Sequence, residues 1–322
     1  MKTRKLGYTD LELTTVGLGT WAIGGSGWQY EWGPQNDEEA IAAILAALDK
    51  GINWIDTAAV YGLGHSEELV GNALKQTARK PFIATKCGLL WDSQGQIINC
   101  LEAKSIRQEC DASLKRLGID VIDLYQIHWP RPDEHIEQAW QELARLTEKG
   151  KVRYLGASNF DVGQIKRVQK IHPVASLQPP YSMLRREVEN ELLGYCAENN
   201  IGVVAYSPMQ KGLLTGKFSP QRLASLAPDD HRRKSPEFNE PQFSANLELV
   251  ENLRPIAERN GRTLAQLAVS WVLRRAEVTA AIVGARSPDQ IAETAPASDW
   301  NLSEEYIEAI EKLLAERQAK LK

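Results

Sequence analysis

Short apolar runs alternate along this chain with longer stretches in which apolar residues recur at helical spacing. Arg4-Lys5-Leu6 and Leu11-Glu12-Leu13 flank Gly7-Tyr8-Thr9-Asp10 and predict an opening hairpin. Thr15–Gly19 is the first core strand. From Asp37, Ala40, Ile41, Ile44, Leu45 and Leu48 mark one helix face, with Asp37 as N-cap and Gly51 as stop. Asn53-Trp54-Ile55 is the second strand, and a helix from about Ser66 leads to the third, Phe82–Thr85. A helix from Ser105 to Leu117 follows, with Ser105 and Gln108 at capping-box spacing and Gly118 as stop. The pattern continues with strand Val121–Ile127, a helix near Glu134–Glu148, strand Val152–Ala157, a helix near Val162–Lys170 and strand Val174–Leu177. It closes with helix Glu187–Glu198, strand Gly202–Ala205, helix Leu264–Arg275, strand Thr279–Val283 and a final helix Glu304–Lys320.

Short buried strands, each separated from the next by a helix, belong to parallel sheets with helices outside. Eight such units predict an α/β fold, a closed (β/α)8 barrel carrying an N-terminal hairpin and a C-terminal helix, as one domain over residues 1–322. The long irregular piece lies between Lys217 and Phe243 (a loop at about 218–243), rich in Pro, Arg and Asp, and loops of that length are usually functional or disordered.

Composition narrows the partner. A net charge of −4 with interspersed signs leaves no basic stripe for nucleic acid and no membrane-surface helix, which points to a small molecule. The N-terminal residues lack the apolar core of a signal peptide and no apolar run reaches membrane-spanning length, so the expected compartment is the cytoplasm. Cys87, Cys100, Cys110 and Cys196 are scattered without metal-ligand spacing and read as reduced packing thiols, Cys87 included although it follows Lys86. No metal is expected.

The strand ends carry the chemistry. They bear Thr20 and Trp21, Asp56, Lys86, His128, Ser158 and Asn159, Gln178, Tyr206 and Ser207, then Gly284 to Ser287. A lone Asp at a strand end is ordinarily a cap or a loop residue; so many polar ends facing one mouth describe the catalytic face of a parallel barrel. Ser287-Pro288-Asp289-Gln290 predicts a helix start just after the eighth strand, with free N–H groups for an anion beside Arg286. Gly17-Leu18-Gly19-Thr20-Trp21-Ala22 also matches G-x-G-x-x-A. That fingerprint requires a helix opening within the loop, whereas helical spacing begins only near Asp37, so a Rossmann fold is rejected.

With these residues in place, the chain resembles the aldo-keto reductases from Leu6 to about Leu314. The resemblance rests on Gly17–Trp21, Gly51–Gly62, Thr85-Lys86, Asp123–Trp129, Gly156–Phe160, Ala205–Pro208, Gly212–Lys217 and Gly284–Gln290. It is similar in particular to the bacterial branch related to potassium-channel β subunits. The resemblance implies a barrel that binds NADP(H) without a Rossmann fold and reduces aldehydes and ketones. It implies a catalytic tetrad of Asp56, Tyr61, Lys86 and His128. It places Thr20, Trp21, Asp56, Ser158, Asn159, Gln178 and Tyr206 around the nicotinamide and its ribose. Ser207, Pro208, Met209, Gln210, Gly212 and Lys217 fall on the pyrophosphate side, and Gly284, Arg286, Ser287, Gln290 and Glu293 on the adenosine phosphate side. Thr294 departs from an Asn common among relatives, and Arg232 and Arg233 are candidates for a further clamp.

Reducing a carbonyl produces an alkoxide, which needs a proton and stabilisation of developing charge. Tyr61 is the expected acid, with the Lys86 ammonium lowering its pKa toward neutrality, Asp56 holding that ammonium, and His128 orienting the carbonyl oxygen. Trp21, Tyr61, Trp91, His128 and Trp129 are the expected substrate contacts. The rival reading is an NADP(H)-binding sensor or regulatory subunit with little turnover, and a structural protein reusing the fold is a third.

Overall fold

The computed structural model describes residues 1–227 and 230–321. Eight parallel strands close into a barrel: β1 (Val16–Gly19), β2 (Trp54–Asp56), β3 (Phe82–Cys87), β4 (Ile122–Ile127), β5 (Val152–Ser158), β6 (Ser176–Gln178), β7 (Gly202–Ala205) and β8 (Val278–Gly284). Neighbours in sequence are neighbours in the barrel, and β8 pairs with β1 to close it. All eight coincide with the runs expected from the hydrophobic pattern.

Because side chains alternate across a strand, one set faces the barrel axis and the other faces the helices. The inner set is small and layered. Leu6, Leu11 and Leu13 from the opening hairpin (Thr3–Lys5 with Glu12–Thr14) pack under Trp54, Ala84, Leu124, Val204 and Ala280. Gly17 is required here: a Cβ on it would lie 2.0 Å from the Trp54 indole, whose Nε1 donates to the Thr14 carbonyl at 2.9 Å. The outer set joins the helices in one large core that includes Ile44, Ile106, Trp140, Ile165 and Trp271. The hairpin leucines fill the bottom of the barrel, and the charged inward groups Asp56 and Lys86 stand toward the C-terminal strand ends.

Several local expectations need correction. Asn36, not Asp37, caps the first helix (Asp37–Asp49), its side chain accepting from Glu39 N at 2.8 Å. The helix expected to start at Ser105 runs Ala103–Leu117, and Ser105 Oγ donates to Glu109 Oε1 at 2.9 Å from inside its first turns, so no capping box forms with Gln108. The segment expected as one helix over Glu187–Glu198 is a 3-10 turn, Glu187–Glu189, and a separate helix, Leu192–Glu198, because Arg186 and Arg274 draw the Glu189 carboxylate inward. A small hairpin, Leu89–Trp91 with Ile97–Asn99, and an 18-residue helix, Gln242–Arg259, were not anticipated. Pro255 interrupts the helical signature of the latter, yet Phe243, Asn246, Leu249, Val250, Leu253, Ile256 and Ala257 form its buried face.

The 218–243 stretch has more structure than its composition implies. It contains helix Pro220–Ala224 and 3-10 turns His231–Lys234 and Pro236–Phe238, held by packing among Leu213, Phe218, Phe238 and Phe243. Pro228 and Asp229 lie outside the described residues. Among the described residues no helix is long and apolar enough to cross a membrane, and no group of three His, Cys, Asp or Glu could hold a metal ion.

Candidate active site

The barrel register pairs Asp56 with Ala84, while Lys86, two residues further along β3, pairs with Gln126 on β4. Lys86 therefore stands one pleat above Asp56 on the neighbouring strand, and the two buried side chains meet. Lys86 Nζ donates to Asp56 Oδ1 at 2.6 Å and to the Thr57 carbonyl at 2.9 Å, and reaches Tyr61 Oη at 3.3 Å. Asp56 Oδ2 accepts from Gln178 Nε2 at 2.8 Å and from Gln126 Nε2 at 3.4 Å. Gln126 was not among the expected site residues. Its place one pleat before His128 on an inward-facing run was the signal that could have found it. A buried ion pair is tolerable only when its remaining hydrogen-bonding capacity is met, and these amides meet it.

Tyr61 sits on a turn after β2, with its ring edge-on to His128 at 5.7 Å between centroids and stacked with Trp21 at 6.3 Å. The expected lowering of its pKa does not occur in this structure. Burial, then the Asp56 carboxylate, hold the phenol well above its ordinary value. The Lys86 ammonium, paired with Asp56 at 2.6 Å and 3.3 Å from the phenol oxygen, does not offset these two effects. Burial pulls the Lys86 ammonium down, opposed by the Asp56 charge and hydrogen bond. His128 is pushed well below its ordinary value by burial and then by Lys86, so its imidazole is neutral. The site holds an ion pair, a protonated phenol and a neutral imidazole.

The aromatic rim differs in part from expectation. Trp21, Trp129 and Tyr61 pack with Trp28, Ala58, Val60 and Leu89 at the mouth. Trp91 does not join them; it lines a separate cavity of about 420 Å³ between its hairpin and the Ala103–Leu117 helix. Trp28, Trp32 and His231 are rim residues that sequence reasoning missed. His231 lies 5.0 Å from Trp21 and 5.4 Å from Trp32 between ring centroids.

The remaining expected residues fall into three groups. Asn159, in the left-handed region at φ 62°, ties the mouth together: its Nδ2 donates to the His128 carbonyl and to Ser158 Oγ at 3.0 Å each, and its Oδ1 accepts from Tyr206 at 2.9 Å. Thr20 is fully buried beneath, bonded to Ser66 Oγ at 2.8 Å and to the Asp56 carbonyl at 3.2 Å. The second group is the turn Ser207–Gly212 with Pro208 and Met209 inside it, where Ser207, Gln210, Lys211 and Gly212 all have positive φ. Strained backbone of this kind concentrates at functional sites. The Gln210 side chain, however, faces its own loop, held by Ser182 and Glu237. Lys217 pairs with Glu293 at 2.6 Å, joining the loop after β7 to helix Pro288–Thr294.

The third group surrounds Gly284 and Arg286. Ser287 precedes helix Pro288–Thr294 in extended conformation but makes no side-chain cap, and Gln290 Oε1 instead accepts from Arg286 N at 2.9 Å. Arg286 does not present a free fork: Nε donates to Gln35 Oε1 at 2.6 Å, Nη1 to the Trp32 carbonyl at 3.2 Å, and Nη2 to the Pro34 carbonyl. Burial and then the charge of Arg232 depress Arg286, while Lys211 is depressed chiefly by burial, with Arg185 and Arg232 adding to the effect against Glu237. Arg185 acts on Tyr206 in turn. Arg232 is not a free cation, since its Nε and Nη2 donate to Asp230 at 2.9 and 2.6 Å, and Lys211 Nζ donates to Ser235 Oγ at 2.6 Å. Within the Ser207–Gly212 turn Gln210 N and Gly212 N already donate to the Ser207 and Met209 carbonyls, which leaves its strained backbone beside the Lys211 side chain as the feature facing a ligand.

These features define the class, an α/β barrel whose polar acid–base site lies at the C-terminal ends of its strands, where barrel enzymes carry their chemistry. The chain belongs to the aldo/keto reductase family, whose sequence profile matches residues 15–315. Such enzymes reduce carbonyl compounds with nicotinamide cofactors. Among similar proteins, the NADH-specific methylglyoxal reductase of Escherichia coli is 37% identical over 94% of this chain and 95% of its own. Aldo-keto reductase yakc [NADP(+)] of Schizosaccharomyces pombe is 34% identical over 96% and 90%. The structure of the glycerol dehydrogenase AKR11B4 from Gluconobacter oxydans superposes with a TM-score of 0.90 at 39% identity, covering 98% of this chain and 96% of that one. These names are those of enzymes and lend no support to a binding subunit without turnover.

Proposed function

We propose that this protein is a cytoplasmic, NADPH-dependent reductase of aldehydes and ketones in which Tyr61 donates the proton. The observation that carries the reading is the joining of Asp56, Lys86, Tyr61 and His128 at one barrel mouth by hydrogen bonds and ring contact. A nicotinamide cofactor, when bound, supplies the hydride. Everything else falls to the chain. His128, neutral, can donate a hydrogen bond to the carbonyl oxygen without carrying a competing charge. Tyr61 is kept protonated by burial and Asp56. It therefore holds its proton until an oxyanion more basic than phenolate arises beside it, and the Lys86 ammonium then stabilises the phenolate left behind.

Asn159, Ser158, Gln178 and Tyr206 are arranged to hold the nicotinamide end, and the Ser207–Gly212 turn with Lys211 suits the phosphates. Arg286 is the group for a 2′-phosphate, which supports NADPH over NADH. The rim of Trp21, Trp28, Trp32 and Trp129 favours substrates with an apolar body beside the carbonyl. The four cysteines, all free, agree with a reducing compartment.

The test is NADPH oxidation over a panel of aldehydes, ketones and α-dicarbonyls with parent protein and Tyr61→Phe. Turnover in the variant should fall by about two to four orders of magnitude, the usual range for loss of a general acid, with cofactor binding retained. Equal turnover in the two proteins would remove Tyr61 from this role.

A further inference from the structure

The segment from Gly24 to Asn36 connects the two ends of the site. Its apolar part lies on the catalytic phenol: Trp28 is 6.2 Å from Tyr61 and Trp32 is 5.5 Å from Trp21 between ring centroids, and Trp21 Nε1 donates to the Tyr30 carbonyl at 3.0 Å. Its other end holds Arg286. Three of the five guanidinium N–H groups go to Gln35, Trp32 and Pro34, and Gln35 Nε2 donates back to the Arg286 carbonyl at 3.0 Å. Gly25, Gly27 and Gly33, all at positive φ with open space where a Cβ would stand, give the segment hinges at both ends.

We propose that Gln35 is a cofactor-selecting residue: together with the Trp32 and Pro34 carbonyls it competes with a 2′-phosphate for Arg286, so that NADPH releases the 28–35 segment from its anchor whereas NADH leaves it clasped. This rests on the reading of Arg286 as the 2′-phosphate group. A phosphate needs a pair of converging N–H groups, and the edge presented by Nε and Nη2 is occupied by Gln35 and Pro34. Two ligands that need the same donors exclude each other, and the exclusion is reciprocal: whatever weakens the clasp strengthens phosphate binding by the same factor. Since the clasped segment carries Trp28 and Trp32 onto the rim, cofactor choice also sets how firmly the substrate mouth is closed.

The decisive experiment uses two substitutions of opposite expected sign. Gln35→Ala removes one charge-assisted acceptor and should tighten NADPH by roughly tenfold in Kd. Gln35→Glu strengthens the hold on Arg286 and should weaken NADPH by a similar factor. NADH should change less than about twofold in either variant, since such a shift is well under the value of one hydrogen bond. Titration by quenching of tryptophan fluorescence reads both cofactors. In the parent protein, hydrogen exchange across residues 28–35 should rise with NADPH and not with NADH. Weakening of both cofactors by both substitutions, unchanged NADPH affinity in Gln35→Ala, or equal protection of the segment by both cofactors overturns the proposal.

Arg286→Ala separates this proposal from the reading beneath it. Selective loss of NADPH affinity there, without a gain in Gln35→Ala, leaves the phosphate site standing and removes the competition. Equal loss of both cofactors removes the phosphate site, and the proposal with it.

Discussion

Asp56→Asn isolates the buried ion pair on which the site is built. In the parent, Lys86 Nζ lies 2.6 Å from Asp56 Oδ1, and both side chains are nearly inaccessible to water, at 0% and 4% exposure. The substitution keeps the shape and an acceptor for Gln178 but removes the charge. Breaking a buried pair from one side leaves an uncompensated ion and costs about 3–5 kcal/mol. Lys86 responds by losing its proton more readily, since burial already pulls its pKa down and Asp56 is the chief opposing influence. The sign of the pH dependence follows. A lysine whose folded pKa lies below its unfolded value binds fewer protons when folded, so stability rises with pH between the two values. The deficit of Asp56→Asn should therefore be largest at neutral pH and shrink as pH rises toward the parent's own lowered Lys86 pKa, above which the lysine is neutral in both folded proteins. Urea midpoints at pH 7 and pH 9.5, with m-values checked for constancy, measure it. Asp56→Asn/Lys86→Met, in which no charge remains, should recover most of the loss, because apolar replacement of a whole buried pair is often neutral. A single variant as stable as the parent at pH 7, or a deficit that grows with pH, refutes the account.

Two further outcomes follow from buried ionisable groups. Burial lifts the Glu109 carboxyl from 4.5 to about 7 despite hydrogen bonds from Gly88 N and Ser105. A raised carboxyl makes stability fall as pH rises from 4.5 toward 7, so Glu109→Gln should be near neutral at pH 4.5 and stabilising by roughly 3 kcal/mol above pH 7, at 1.36 kcal/mol per unit; denaturation midpoints at pH 4.5 and 8 decide, and a variant less stable at pH 8 contradicts it. His231 is held at about 4 by burial and then Lys211, with Asp230 opposing and Arg232 adding to the depression. The stability it lends the 230–238 turns is present above pH 6.5 and lost as pH falls toward 4. Amide protection factors there, taken against the intrinsic exchange rate at each pH, should fall between pH 7 and pH 5 in the parent and not in His231→Asn, and identical profiles in both proteins would exclude the histidine as the cause.

The barrel was legible because its evidence is local. Each of β1 to β8 is a short apolar run beside a stretch with helical spacing, and both patterns are properties of neighbouring residues. The same holds for the polar groups at the strand ends, so Asp56, Lys86, His128, Asn159 and Gln178 could be found once the strands were. What lay beyond the sequence depends on separations in space. The place of Gln126 beside Asp56 follows from the register of β3 on β4. Trp91 was expected among the aromatic substrate contacts, but it lines a separate cavity against the Ala103–Leu117 helix. The direction of the Tyr61 shift depends first on how deeply the folded barrel buries the phenol and then on the nearby Asp56 carboxylate, neither of which any spacing encodes. Arg286 was read as a free fork because Gln35, the residue that holds it, is 251 positions away. Patterning fixes which face of each element is buried; closure of the barrel then decides which side chains from distant elements meet, and charge, burial and hydrogen-bond occupancy are properties of those meetings.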